Sequence, residues 1–192
     1  MSANHSELDD DLRAFVEAQQ VFFVGTAPLS GEGHVNVSPK GLDSLRVLDA
    51  HTLVWRDRVG SGVETIAHLR ENGRITLMFC AFDGLPRIVR LQGRGTVLVP
   101  GDADFAELEA LFPAAAGVRA LIRVALDRVA GSCGYGVPIY TYKGQRDIID
   151  GWAQRKGPAG VVAYQAQHNT RSIDGLPGHV PAGAAVHPNG DA

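Results

Sequence analysis

Apolar residues recur along the chain with two different periods, and the switches between them mark its elements. Leu8, Leu12, Phe15 and Val16 fall on one face of a helix predicted over residues 6–19, with Ser6 and Asp9 placed to cap its start. The compact apolar run at 21–27 reads as a strand, and Ser-Gly-Glu-Gly at 30–33 is turn chemistry. Residues 34–38 alternate, with Val35 and Val37 on one face of a half-buried strand and His34, Asn36 and Ser38 on the other. Pro39 cannot donate to a ladder and is expected to end that strand. Residues 52–56 form another strand, and the nearly all-apolar run at 74–82 reads as a central one. After an Asp83-Gly84 turn, residues 87–99 make a long strand containing Gly93 and Gly95, where a bulge, a barrel corner or a close approach is expected.

Between these strands, the period changes to that of short helices. Ser61 and Glu64 have capping-box spacing at the start of one, and Asn72-Gly73 should stop it, because glycine tolerates the left-handed backbone just past a helix end. A second short helix spans 102–112, a strand follows at 119–129, and 132–140 is loop-like. Residues 143–156 read as a helix with Ile148, Ile149 and Trp152 on one side. From Gly157 onward Gly, Pro and Ala dominate, so 157–192 is expected to be an extended or partly disordered tail on a domain of residues 1–156. The order of elements predicts a mainly β fold of the α+β class, a largely antiparallel barrel with peripheral helices.

Composition narrows the function. The 192 residues are 45% hydrophobic, enough for one well-cored domain, and the net charge of −3 comes without a basic stretch for nucleic acid. No segment approaches the roughly 20 apolar residues of a membrane span, and the polar, acidic N-terminus is no secretory signal. Cys80 and Cys133 stand alone, which suits a reducing cytoplasm, and Cys80 reads as a buried small hydrophobe. The seven histidines show no ligand spacing, so no metal site is expected; His5, His168, His179 and His187 read as solvated. No GxSxG nucleophile motif occurs.

Two clusters carry candidate chemistry. Gly60-Ser61-Gly62 opens a helix, and free N–H groups at a helix start can face a phosphate. The stretch nearly matches GxGxxG, with Asp83 about 20 residues on. Thr65 in place of the third small residue, a preceding strand that ends polar, and the absence of further βαβ alternation exclude a dinucleotide-binding domain. The second cluster is upstream: His34, Asn36 and Ser38 on one strand face, followed by Pro39, Lys40 and Gly41, a polar face that could line a flat ring while Lys40 and Ser61 share a phosphate.

From residue 22 to 99 the chain resembles the pyridoxamine 5′-phosphate oxidase-like, FMN-binding split β-barrel superfamily. FFVGTA, HVNVSPKG, GSGVETIAHLRENGRITLMFCAF and RIVRLQGRGTVL carry the likeness, and GYGVPIY extends it more loosely. It is most similar to the flavin-binding, oxidase-related subgroup whose substrates are unassigned. The resemblance implies a homodimer with FMN at the interface and a small-molecule substrate. Ser38, Pro39 and Lys40 would line the isoalloxazine and ribityl chain, and Trp55 and Arg56 would border ring and phosphate. Ser61, Gly62 and Thr65 would receive the phosphate. Tyr135, between Gly134 and Gly136, could stack on a ring from the partner subunit or be the exposed aromatic of a tight turn. Where the oxidases carry an Arg-Lys pair at the helix start, this chain has Glu64 and Thr65, leaving Lys40, Arg56 and Arg58 to compensate. The family's C-terminal substrate motif has no counterpart, so pyridoxamine phosphate is not the expected substrate. The implied activity is FMN-dependent oxidoreduction. The alternatives are a deazaflavin-dependent reductase on the same fold or a non-catalytic flavin- or haem-binding protein.

Overall fold

The structure, a computed structural model, describes residues 3–181. In chain order the elements are β1 (Ala3–His5), α1 (Asp10–Ala18), β2 (Phe22–Thr26), β3 (Asn36–Lys40), β4 (Leu45–Asp49), β5 (Thr52–Arg58), α2 (Glu64–Asn72), β6 (Arg74–Cys80), β7 (Ile88–Leu98), α3 (Phe105–Glu109), β8 (Val118–Ser132) and α4 (Ile148–His168). All strand pairings are antiparallel, in the order β3-β2-β6-β7-β8-β5-β4, with β1 added on β8. The two end strands, β3 and β4, are not paired with each other, so the sheet curls into a barrel that does not close. This is a split β-barrel, mainly β with peripheral helices, as the alternation of strand and helix periods predicts.

The barrel core is made by inward positions of alternating strands. Phe22, Leu53, Trp55, Leu77, Phe79, Leu91 and Ile122 meet Leu12 and Val16 of α1 and Ile66 of α2 in one cluster. Phe22 stacks on Phe79 at 5.5 Å between centroids and meets Trp55 edge-on at 6.3 Å. The opposite side of β5 is buried too, because Val54 packs with Leu98, Leu121 and Phe112 beside α3. The expected irregularity in β7 is a bulge between Gln92 and Gly93. A β-carbon at Gly93 would collide with the Ala125 carbonyl on β8, so the sheet crosses itself here at a distance only glycine allows.

Four local expectations are corrected. Asp9 alone caps α1, its carboxylate accepting from the Leu12 amide at 2.8 Å. Pro39 does not end β3 but sits inside it opposite Phe23, which is possible because β3 is an edge strand with one side free of ladder bonds. The polarity of that strand is inverted: Val35 and Val37 are 72% and 65% exposed, and Asn36, Ser38 and Lys40 are partly buried. The predicted tail is folded as far as residue 181. The helix continues through a break at Gly157, whose φ of 67° frees Pro158 to begin a new turn, and runs on to His168. The chain then returns over α2, burying Gln165, Asn169, Ser172 and His179. Polar side chains and backbone bonds hold this segment, so a scarcity of large apolar residues did not reveal it. Residues 182–192, including His187, lie outside the described residues. Among the described residues no helix is long and apolar enough to cross a membrane.

Candidate functional site

The inverted face of β3 meets the start of α2 and the end of β5. Asn36 donates to Thr65 Oγ1 at 3.1 Å and to Thr26 Oγ1 at 3.3 Å, and its side-chain oxygen accepts from Ser38 Oγ at 3.1 Å. Because the Thr26 hydroxyl already accepts from Asn36, its own proton is left for His68 Nδ1, 3.0 Å away. Burial holds the His68 pKa below its usual value, against the acids Asp174, Glu64 and Glu71, so the ring is the neutral acceptor this bond needs.

One register further along β3, Lys40 Nζ lies 3.1 Å from Asp57 Oδ1 and 4.8 Å from the centroid of Trp55. Asp57 is fully buried, and its second oxygen accepts from Arg119 Nε at 2.7 Å. Burial alone would raise the Asp57 pKa, but the charges of Lys40 and Arg119 overcome it and hold the carboxyl below its usual range. One carboxylate is thus shared by two cations, and the cluster carries one net positive charge. Arg119 continues the chain by donating from Nη1 to the Gly62 carbonyl at 2.8 Å, at the mouth of α2.

The start of α2 differs from the sequence expectation. Ser61 is exposed and does not cap; Val63 occupies the cap position without a side-chain bond. Glu64, the supposed second half of the capping box, instead accepts from the Ile173 amide at 3.2 Å, and its carboxylate lies against Gly62. Asn169 donates to the Gly60 carbonyl at 2.9 Å, Arg70 donates to the Gly178 carbonyl, and Gly178 packs on Val63 so closely that a β-carbon would overlap it. His34 binds Asp174 twice, through its amide at 2.8 Å and its ring at 2.6 Å. His34 is therefore exposed but partnered, and these bonds hold Asp174 below the usual carboxylate range. The returning segment also brings in His179. It is 4% exposed, not solvated as its sequence position suggested, and burial and the charges of Arg119 and Arg70 depress its pKa to about 4.

The nine residues expected to hold the cofactor are therefore dispersed. Ser38, Lys40 and Thr65 come together, with Pro39 on the opposite, outward side of β3. Trp55 is fully buried in the barrel core and cannot border a ligand as it stands. Arg56 points to the other side of β5, over Phe112 and bonded to the Pro113 carbonyl at 2.5 Å. Tyr135 is 83% exposed in the loop after β8, remote in its bonding from the β3 network. A flavin is only half accommodated. The amide, hydroxyls and ammonium of Asn36, Ser38, Thr65 and Lys40 suit the polar edge of the ring and its ribityl chain. The phosphate seat at Ser61 and Gly62 does not fit, because the Glu64 carboxylate lies against it and residues 169–178 bond to its flanks. Sequence reading passed over Asp57 and Arg119; the signal was an acid inside the apolar strand TLVWRD and an arginine opening another, RALIRVAL.

This topology makes the chain a split β-barrel protein, and its family is identifiable. The pyridoxamine 5′-phosphate oxidase family matches residues 8–133, and the chain belongs to it. It is 39% identical over 193 residues to the pyridoxamine 5′-phosphate oxidase family protein ustO of Aspergillus flavus, covering 91% of this chain and 76% of that one. Among solved structures, HupZ of Group A Streptococcus superposes with a TM-score of 0.51 at 18% identity, over 65% of this chain and 99% of that one. A Lactobacillus delbrueckii protein described, by inference, as a pyridoxamine 5′-phosphate oxidase gives a TM-score of 0.51 at 17% identity, over 67% and 97%. At these identities the two structures speak to the fold alone.

Proposed function

We propose that this protein is an FMN-binding, flavin-dependent oxidoreductase that works as a homodimer on a small-molecule substrate. The observation that carries the reading is the inverted strand β3. Turning Asn36, Ser38 and Lys40 inward while leaving two valines in water costs burial energy that an ordinary edge strand would gain. Such an arrangement has a physical rationale if the polar face serves a ligand and the valine face meets another chain. The net positive charge on the Lys40–Asp57–Arg119 cluster lies beside that face and favours an electron-rich ring edge. A bound flavin would supply the hydride or electron transfer; the chain's contribution is orientation and charge. The misfit at Ser61 and Gly62 puts the phosphate elsewhere than at the helix start.

The dimer accounts for the exposed apolar side chains. Val35 just before the edge strand, Val37 within it, and Tyr135, Ile139 and Tyr140 of the loop after β8 are large apolar side chains that a single copy leaves in water. The absorbance spectrum of the purified protein tests the cofactor. A flavin spectrum is expected, and Lys40→Ala should weaken FMN binding by roughly 1.5–3 kcal/mol, the range of a lost charge-assisted bond. A Soret band, a deazaflavin spectrum, or no FMN binding on titration would replace this reading. Sedimentation should give a dimer; a monomer that retains FMN at full affinity would remove the interface from it.

A further inference from the structure

We propose that the cleft between the start of β8, helix α4 and the returning segment binds a small apolar molecule carrying one carboxylate. The cleft is independent of the flavin reading, because Asn36, Ser38, Lys40 and Thr65 take no part in its lining. Its volume is about 650 Å³, within the range of small-molecule sites, about 300–1,000 Å³. Val99, Pro100, Val161, Val162 and Val180 give it apolar walls.

Three polar side chains line the same space, Arg119, Gln165 and His179, and each is only 4% exposed. His179 Nδ1 is buried without a partner, and the Gln165 amide and the Arg119 guanidinium line the same cleft. Arg119 uses Nε on Asp57 and Nη1 on Gly62, and Nη2 is left over. Buried polar groups are satisfied in the great majority of cases, so the unpartnered buried nitrogen of His179, beside Arg119 and Gln165 on one apolar cleft, calls for a ligand with a polar head. The sign of the charge selects the head. Lys40 and Arg119 share a single carboxylate and Arg70 adds a further cation beside Gly178, so the cleft end is electropositive. A neutral His179 can donate to an anion without requiring a second one. A carboxylate at the Arg119 end, with its apolar body along the valines, accepts from Arg119 Nη2, from the Gln165 amide nitrogen and from the protonated nitrogen of a neutral His179. A phosphate would fit the charge but not the apolar walls.

Calorimetry on the full chain with three probes of equal length tests this: octanoate, octan-1-ol and octylamine. Octanoate should bind at least tenfold tighter than either of the others. Val162→Trp, which fills the cleft, should abolish binding, and His179→Phe should weaken it at least fivefold while circular dichroism stays native. Should Val162→Trp fail to fold, Ala116→Trp blocks the cleft from its exposed mouth. Equal affinity for octanol, undiminished binding in the filled variant, or no binding of octanoate to the native chain would each overturn the proposal.

Discussion

At its C-terminal end α2 stops on Gly73, whose φ of 71° is left-handed and whose amide returns to the Leu69 carbonyl, while Asn72 ties the exit to Arg74 and Ala27. At its N-terminal end the same helix starts on Val63 without a side-chain cap, and its first turn is held by Arg119, Asn169 and the amide of Ile173. The exit is secured chiefly by its own residues and near neighbours. The entrance depends on partners 57 to 109 residues away. The difference teaches where local signals prevail: a glycine in left-handed backbone has no competitor for its geometry, whereas Glu64 is drawn off to the distant Ile173 amide and Ser61 stays exposed without a cap bond.

The sharpest way to break this comparison is to remove the charge beneath the entrance. Asp57→Ala leaves the buried Arg119 and the half-buried Lys40 without their carboxylate and should cost about 3–5 kcal/mol in denaturant unfolding. A loss under 1 kcal/mol would mean that Arg119 does not depend on Asp57 to reach Gly62.

Next in size is the pH dependence of the returning segment. The pKa of His179 in the folded chain, about 4, lies below the ordinary 6.5. Its contribution to stability is therefore present above pH 6.5 and is lost as pH falls from there to about 4. The loss should reach on the order of 3 kcal/mol, from 1.36 kcal/mol per pH unit. His179→Phe should flatten the stability profile in that window alone; an unchanged slope would assign the acid sensitivity to other groups.

The exit of α2 gives a smaller effect. Gly73→Ala forces a β-carbon into left-handed backbone and should cost about 1–2 kcal/mol, with no change in the pH profile. Smallest is Ser61→Ala, expected to shift stability by less than about 0.5 kcal/mol because an exposed residue makes no cap bond. A loss within the usual range for a capping serine, about 0.5–2 kcal/mol, would restore the sequence-based entrance and sink the contrast.

Much of the candidate site was legible as residues but not as an arrangement. Lys40 joined the polar face of β3 only because the strand runs on through Pro39, whereas Asn36 and Ser38 show that face through alternation, which is a property of any strand. Which way that face turns is not, and the valines gave the opposite suggestion. Trp55 and Arg56 stand next to each other in sequence, yet the first is sealed in the barrel and the second bonds toward α3, because successive strand residues face opposite sides. Their assignment to one ligand required both to point the same way.

The sequence by itself determined six of the eight strands, missing β1 and β4, together with the stop of α2 at Gly73, the β7 bulge region and the split-barrel class, since periodicity and glycine geometry act over a few residues. Only the tertiary structure decided the inward turn of β3, the sharing of Asp57 between Lys40 and Arg119, and the folding of residues 157–181 over α2. Those depend on contacts between residues far apart in the chain, where a polar side chain's partner is selected by proximity in space and by the energy of leaving it unpaired.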